Sequence, residues 1–457
     1  MYWDLVAHNK AYQVIASREV ISAFGDDFTD VANTVVLLGF WQGPLAVSLY
    51  MSLNTGIVGV VSLLAGSVMD RHSKVHIVIC SDIASTIIRA LLIASFLYKS
   101  PALFIACSVA NALIKSVSHP AADSYFPEVI EKKHLPVANA LTETLESFVH
   151  VLAYGVGGFF TACVGVIGSF IVDAVTFVIG ASLFSTFICA KSRYKFVQTL
   201  DADTRTAVRS SSLWQLAIET LRYIRAHREL FIQMLVLTWS SLVLATISVY
   251  NVMLAKRYFA EAHASHEYDA NDAYLLLGHG SSDDKKLSLA LGLCYTVSSL
   301  GSALGPIIGT YTTRASSTVA VRWYMALAIF VCAAGNALIG VNERFNSAWL
   351  WLLGNFLFCY GNYTLLVFIK TVFQMDVDLH MRGRVFASSA ALNTVFKTIS
   401  QLAIGYLIKH GRALETFMIT SGATMIILVL WVFLFIPQTK IDPLLLHDDD
   451  TYESEGV

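Results

Sequence analysis

Apolar stretches of about twenty residues follow one another along almost the whole chain, each closed by a short polar segment. A bilayer core of about 30 Å is crossed by about 20 helical residues. The pattern predicts twelve membrane-spanning helices, at 18–40, 45–69, 76–98, 102–119, 138–163, 167–189, 230–254, 289–311, 323–341, 347–370, 385–408 and 413–436. A transmembrane barrel would instead show alternating segments of about ten residues. The first span is the most interrupted, with Arg18, Glu19, Asp26, Asp27 and Asp30, and hydropathy alone would start it near Phe28.

The polar segments divide unevenly between the two sides. Lys10, Arg71, Lys74, Lys132, Lys133, Lys191, Arg193, Lys195, Arg322 and Arg384 fall on the side of the termini, against few on the other, such as Lys99, Arg344, Lys409 and Arg412. Basic loops stay in the cytoplasm, so both termini are expected there, with the chain in the plasma (inner) membrane. Four parts are expected: a six-helix bundle at 1–189, a basic linker at 190–229, a second six-helix bundle at 230–436 and an acidic tail at 437–457. Within the linker, Leu213–Arg228 has an apolar face (Leu213, Trp214, Leu216, Leu221, Ile224) and a basic one (Arg222, Arg225, Arg228). That pattern suits a helix on an anionic membrane surface and equally a packed linker helix. The long 7–8 connection carries His263, His266 and His279 and is read first as a solvated loop, with a metal site as the lesser alternative.

Composition agrees with the pattern. Of 457 residues, 56% are hydrophobic and 14% charged, with a net charge of -2. Soluble chains carry about 25% charged residues, so a water-soluble globule, a disordered chain and a nucleic-acid binder are excluded. The seven cysteines sit singly inside apolar segments without a C-x-x-C pair, which suggests neither a disulfide framework nor a zinc site. The chain contains no phosphate-binding loop, nucleophile elbow or H-E-x-x-H, so neither ATP hydrolysis nor enzymatic chemistry is expected, and no cofactor. The start does not read as a cleavable signal peptide, because polar residues interrupt the first apolar stretch.

Two loops look alike: Gly66-x-x-x-Asp70-Arg71 after span 2, and Gly309-x-x-x-Thr313-Arg314 after span 8. A two-fold repeat of six spans fits them. Gly66-x-x-x-Asp70-Arg71-x-x-Lys74, between spans 2 and 3, resembles the signature loop of the major facilitator superfamily. Arg18-x-x-x-Ser22-x-x-Gly25-Asp26, Asp82, Pro127-Glu128, Leu135-x-x-Ala138-Asn139-Ala140 and Arg382-Gly383-Arg384-Val385 are similar to its enterobactin-exporter and macrolide-efflux (drug:proton antiporter) group, and more distantly to lysophospholipid transporters. Where the antiporter motif of span 5 has Gly-Pro, this chain has Ala153-Tyr154, followed by Gly155, Gly157 and Gly158.

The resemblance implies an all-α fold of two six-helix bundles related by a pseudo-two-fold axis. It also implies a latch in which Asp70 faces the start of span 11, where helix N–H groups favour an anion. Gly66, Arg71, Lys74, Asp82 and Arg384 are expected to belong to that latch. Ionisable groups inside spans are costly and turn to a cavity or a partner. Those expected around a proton and substrate cavity are Asp26, Asp30, Arg89, Glu143, Glu146, His150 and Lys397, with Asp30 or Glu146 as the proton carrier. His150 reads either as sharing a proton with Glu146 or as a packing histidine. Asp173 is expected to be a structural partner, and Lys115 reads equally as a cavity group or as reaching for the interface. Trp239, Tyr250, Asn251, Tyr295, Asn355, Tyr360, Asn362 and Tyr363 add an aromatic, amide-rich set. The expected function is proton-coupled efflux of an amphipathic small molecule, a drug or a siderophore, by a monomer in contact with membrane lipid. A lipid-type carrier and a non-transporting receptor or scaffold of the same fold are the alternatives.

Overall fold

The structure, a computed structural model, describes residues 9–41, 43–69, 73–129, 135–189, 221–259, 282–313, 318–377 and 379–435. It contains twelve long helices: α1 Lys10–Phe40, α2 Pro44–Met69, α3 Lys74–Leu97, α4 Pro101–Val129, α5 Leu135–Val164, α6 Val166–Cys189, α7 Arg228–Phe259, α8 Ser282–Thr313, α9 Thr318–Phe345, α10 Ala348–Asp376, α11 Leu379–Lys409 and α12 Ala413–Phe435. Each predicted span lies on one of them. Most helices run past the apolar window, because backbone hydrogen bonding continues into the polar ends. The largest extension at a helix start is at α1, which begins at Lys10 rather than 18; the Asn9 side chain caps it by accepting from the Tyr12 N–H at 3.0 Å.

Among the described residues, nine helices are apolar and long enough to cross a membrane by composition. The other three, α1, α5 and α11, are those that hold Asp26, Asp27 and Asp30, Glu143, Glu146 and His150, and Lys397. Large apolar side chains stand exposed along the outer faces, such as Ile83 and Ile87 of α3, Val395 and Ile399 of α11, and Ile426 and Phe433 of α12. Such surface belongs in lipid. Four connections at the end away from the termini, α3–α4, α5–α6, α9–α10 and α11–α12, each turn on one residue with positive φ: Lys99 (48°), Gly165 (94°), Asn346 (47°) and Gly411 (71°).

Helix neighbours repeat with an offset of six. The α1–α5, α2–α4, α3–α4 and α3–α6 pairs return as α7–α11, α8–α10, α9–α10 and α9–α12. The halves meet through α5 against α8 and α2 against α11, which the same two-fold relation exchanges. These seams rely on small residues. Gly158 and Gly292 face each other backbone to backbone, Gly155 faces Thr296, Gly56 and Gly59 face Thr398 and Thr394, and Gly405 faces Ser48. Missing side chains let helix axes approach closely.

Among the described residues, the core is continuous between the halves at one end. Away from the termini, Val31, Phe104 and Phe170 of the first half and Val252, Leu291, Trp351 and Phe417 of the second belong to one cluster. Toward the termini the described core residues separate into one cluster per half, around Tyr12, Val78 and Phe184, and around Leu237, Leu365 and Trp431. Among the described residues, the two halves therefore share a core at the far end and not at the terminal end. Of the linker, 190–220 lies outside the described residues. Residues 221–226 are helical, with Ile224 buried against the second half's cluster and Leu221 exposed.

Candidate functional site

Charge in the interior gathers in the first half. In α1 successive residues turn by about 100°, so Asp26, Asp27, Thr29 and Asp30 address different neighbours. Asp26 Oδ1 accepts from Lys115 Nζ of α4 at 2.7 Å and lies 3.4 Å from Arg89 Nη2 of α3. Asp27 Oδ2 meets His150 Nδ1 of α5 at 2.7 Å. Thr29 donates to Asp173 Oδ2 of α6 at 2.5 Å. Arg89 is only 1% exposed; its Nε donates to Asp173, its Nη1 donates to Asn111 Oδ1 at 3.0 Å, and its guanidinium lies 5.1 Å from the Phe177 ring centre. A buried ion is tolerated only when so fully partnered.

This network explains part of the α1 motif. A side chain at Gly25 would run into Asp173 and Thr176 of α6, so glycine there lets the carboxylate reach the helix. Nearer the termini, Arg18 Nη2 donates to Asp82 Oδ1 at 2.7 Å, Nη1 to Glu19 at 2.8 Å, and the guanidinium lies over Phe184. Arg18 and Asp82 thus staple α1 to α3.

Asp30 differs from its neighbours. It is exposed, while Val31 and Ala32 beside it are fully buried. Among the described residues α1 presents no exposed large apolar side chain, so α1 does not face lipid and Asp30 opens onto the space between the halves. The Tyr154 hydroxyl lies 3.5 Å from its Oδ2, and the Tyr154 ring is 5.0 Å from Tyr295 of the other half. In this part of the first half four carboxylates (Asp26, Asp27, Asp30, Asp173) stand with Arg89, Lys115 and His150. Negative charge is in surplus unless a proton or a cationic group joins it.

On the opposite wall, α11 packs Thr394 and Thr398 on α2 and Ser400 on α7, where the Ser400 hydroxyl donates to the Leu242 carbonyl at 2.8 Å. Its exposed stripe is Leu392, Val395, Phe396, Ile399 and Leu402. Asn393, Lys397 and Gln401 occupy the remaining face, between α2 and α7.

The geometry corrects the expectation for Arg89 and decides between the open readings of other residues. Arg89 is sealed inside the first half instead of lining the cavity. His150 pairs with Asp27 at 2.7 Å. Asp82 binds Arg18 of its own half. Lys115 reaches Asp26 and not the interface. Five members of the aromatic, amide-rich set serve packing within the second half: Asn251 donates to Asn355 at 2.7 Å and accepts from Trp351 at 2.8 Å, Ser240 donates to Asn362, Tyr250 to Glu343, and Trp239 to Thr424 at 3.0 Å. Glu146 is half-buried on the face of α5 that carries His150, away from the exposed Leu145, Phe148, Leu152 and Val156. Lys74 opens α3. Asp70 and Arg71, and the loop with His263, His266 and His279, lie outside the described residues; so do the surroundings of Gly66 and the side chains of Glu143 and Arg384, whose backbones are helical. Asn111, Thr29 and the Asp27–His150 contact went unnoticed in the sequence, where only the presence of polar groups inside spans signals them.

Two six-helix halves, joined at one end around a charged interior, define an integral, multi-pass membrane protein with a transporter fold. The family model of the major facilitator superfamily matches residues 20–278, and the chain belongs to that superfamily. Among solved structures, a bacterial homologue of the iron transporter ferroportin in an inward-facing state is similar at 14% identity and a TM-score of 0.64, over 92% of this chain and 98% of that one. A POT family transporter in complex with 5-aminolevulinic acid is similar at 10% identity and a TM-score of 0.63, over 94% and 96% of the chains. A bacterial metal transporter is similar at 14% identity and a TM-score of 0.56, over 92% and 98%. These likenesses concern the fold. No curated protein matches the chain in sequence.

Proposed function

We propose that the protein exports a small amphipathic solute across the plasma membrane in exchange for protons, with both termini in the cytoplasm. The observation that carries this reading is Asp30: an accessible carboxylate in the second half of α1, on the same helix as Asp26 and Asp27, in a region with more acids than bases. A carboxylate so placed takes a proton from one side and, once the halves rock, yields it to the other. The latch of Asp70, Arg71, Lys74 and Arg384 belongs to the same reading, as the contact that holds the terminal end shut in the alternate state. Export, rather than uptake, rests on the resemblance of the α1 and signature-loop motifs to the efflux group.

The test uses the full chain in proteoliposomes with an imposed pH gradient and a panel of amphipathic solutes. Transport is expected to follow the gradient, and Asp30→Asn is expected to abolish that dependence while leaving solute binding in place. Glu146→Gln serves as the comparison. Transport indifferent to pH, or an Asp30→Asn protein with unchanged pH dependence, would refute the proposal.

A further inference from the structure

Three cations sit at mid-depth in the helices. Arg89 and Lys115 both reach carboxylates. Lys397 has no hydrogen bond or ion pair among the described residues. The sequence offers it none nearby: α11 and α2 contain no acidic residue, and the acid of α7, Glu229, lies at the helix start within 3.9 Å of Arg322. Nor can Lys397 reach the interface. It stands twelve residues from Lys409, the last residue of α11, which is about 18 Å at 1.5 Å per residue, well beyond the length of a lysine side chain.

Its neighbours on the same face are also unsatisfied. Asn393 Oδ1 and Gln401 Oε1, one turn to either side, are buried without a partner, as is the Ser389 hydroxyl one turn further along. Gln401 and Ser389 are each nearly fully buried. Native interiors pair nearly every such group. Here one face of one helix leaves a cation and two amide oxygens unpaired over successive turns, on the side turned away from lipid.

We infer that Asn393, Lys397 and Gln401 form the cargo's recognition rung, and that the cargo carries an oxyanion, a carboxylate or phosphate, next to N–H or O–H groups. The ammonium takes the oxyanion, and the amide oxygens accept from the adjoining donors. This assignment rests on the reading of the space between the halves as the solute site. It narrows the amphipathic solute to an anionic one, and it divides the labour: protons on the α1 wall, cargo on the α11 wall.

The experiment is equilibrium binding to the purified full chain in detergent, with no gradient, using three probes of equal chain length: N-lauroylglycine, dodecyl phosphate and the neutral N-lauroylethanolamine. At least one anionic probe is expected to bind, with a Kd raised tenfold or more by Lys397→Gln and changed less than threefold by Lys397→Arg. Asn393→Leu and Gln401→Leu are expected to weaken it several-fold. Binding of N-lauroylethanolamine should not respond to Lys397→Gln. Melting curves of the two lysine variants verify that both remain folded. The inference is overturned if neither anionic probe shows a Lys397-dependent Kd, or if the neutral probe responds equally. Failure of proton exchange with Lys397-dependent binding intact would sink only the proposed function, whereas proton-driven transport of a solute that ignores Lys397 would sink only this inference.

Discussion

The seam between α5 and α8 allows a quantitative test of how the halves move. A Cβ built on Gly158 would lie 2.6 Å from the Gly292 Cα and 2.8 Å from the Ser288 carbonyl oxygen, where ordinary contact needs 3.4–4 Å. Both neighbours are backbone, so no side chain can rotate away. Gly158→Ala therefore requires the two helices to part by roughly 1 Å, an overpacking that costs about 1–3 kcal/mol. The gain in helix propensity from Ala applies in every conformation and cancels from the comparison. The penalty falls only on the state in which the far end is closed, because rocking separates α5 from α8 there. The equilibrium should shift about 5–150-fold toward the state open at the far end. Spin labels at Ser73→Cys and Ala226→Cys report the terminal end, and labels at Tyr98→Cys and Trp349→Cys the far end, all four on exposed positions. In Gly158→Ala the terminal-end distance should shorten and the far-end distance lengthen. Gly422→Ala, where an added Cβ meets nothing within 4 Å, is the control. If the two alanine variants gave the same distance distributions, the α5–α8 seam would not be the closure.

Arg89→Met leaves Asp173 buried without its cation and should destabilise the first half by about 3–5 kcal/mol, read as a lower melting temperature in detergent; a melting curve equal to wild type would refute the network. Arg18→Ala and Asp82→Ala should each destabilise, with a double mutant less destabilised than their sum, since both remove one contact of 2.7 Å; additive losses would show that the staple carries no energy. His150→Leu strands the Asp27 carboxylate and should cost about 1–3 kcal/mol, largely relieved by a second change, Asp27→Leu; no relief in the double variant would contradict the pairing. Trp239→Phe removes the bond to Thr424 and should cost about 1 kcal/mol, with Thr424→Val adding little more; a full second loss in the double variant would exclude the bond.

Depth was readable from the chain, and partnership was not. An acid or base inside a long apolar run announces that something unusual lies there, and so Asp26, Asp30, Arg89 and Lys397 were recognisable. Which carboxylate meets which cation depends on the order of helices around each half, a long-range property. Asp82 and Arg18 are 64 positions apart, Arg89 and Asp173 84. Hydropathy alone also misplaces the start of α1, near Phe28, because it reads Arg18, Asp26 and Asp27 as water-exposed, whereas these groups are paired with Asp82, Lys115 and His150 inside the first half. The amides of the second half mislead in the opposite sense: Asn251 and Asn355 look like ligand contacts in a linear reading and satisfy each other once α7 and α10 are adjacent.

The placement of charge in α1 has a bearing on how the chain is made. Arg18, Asp26 and Asp27 emerge from the ribosome first, and their counter-ions at Asp82, Lys115 and His150 follow only with α3, α4 and α5. Until then a helix bearing these groups is a poor guest in hydrocarbon. The opening segment must wait at the translocon, or in the interfacial region beside it, until later segments arrive to escort it into place.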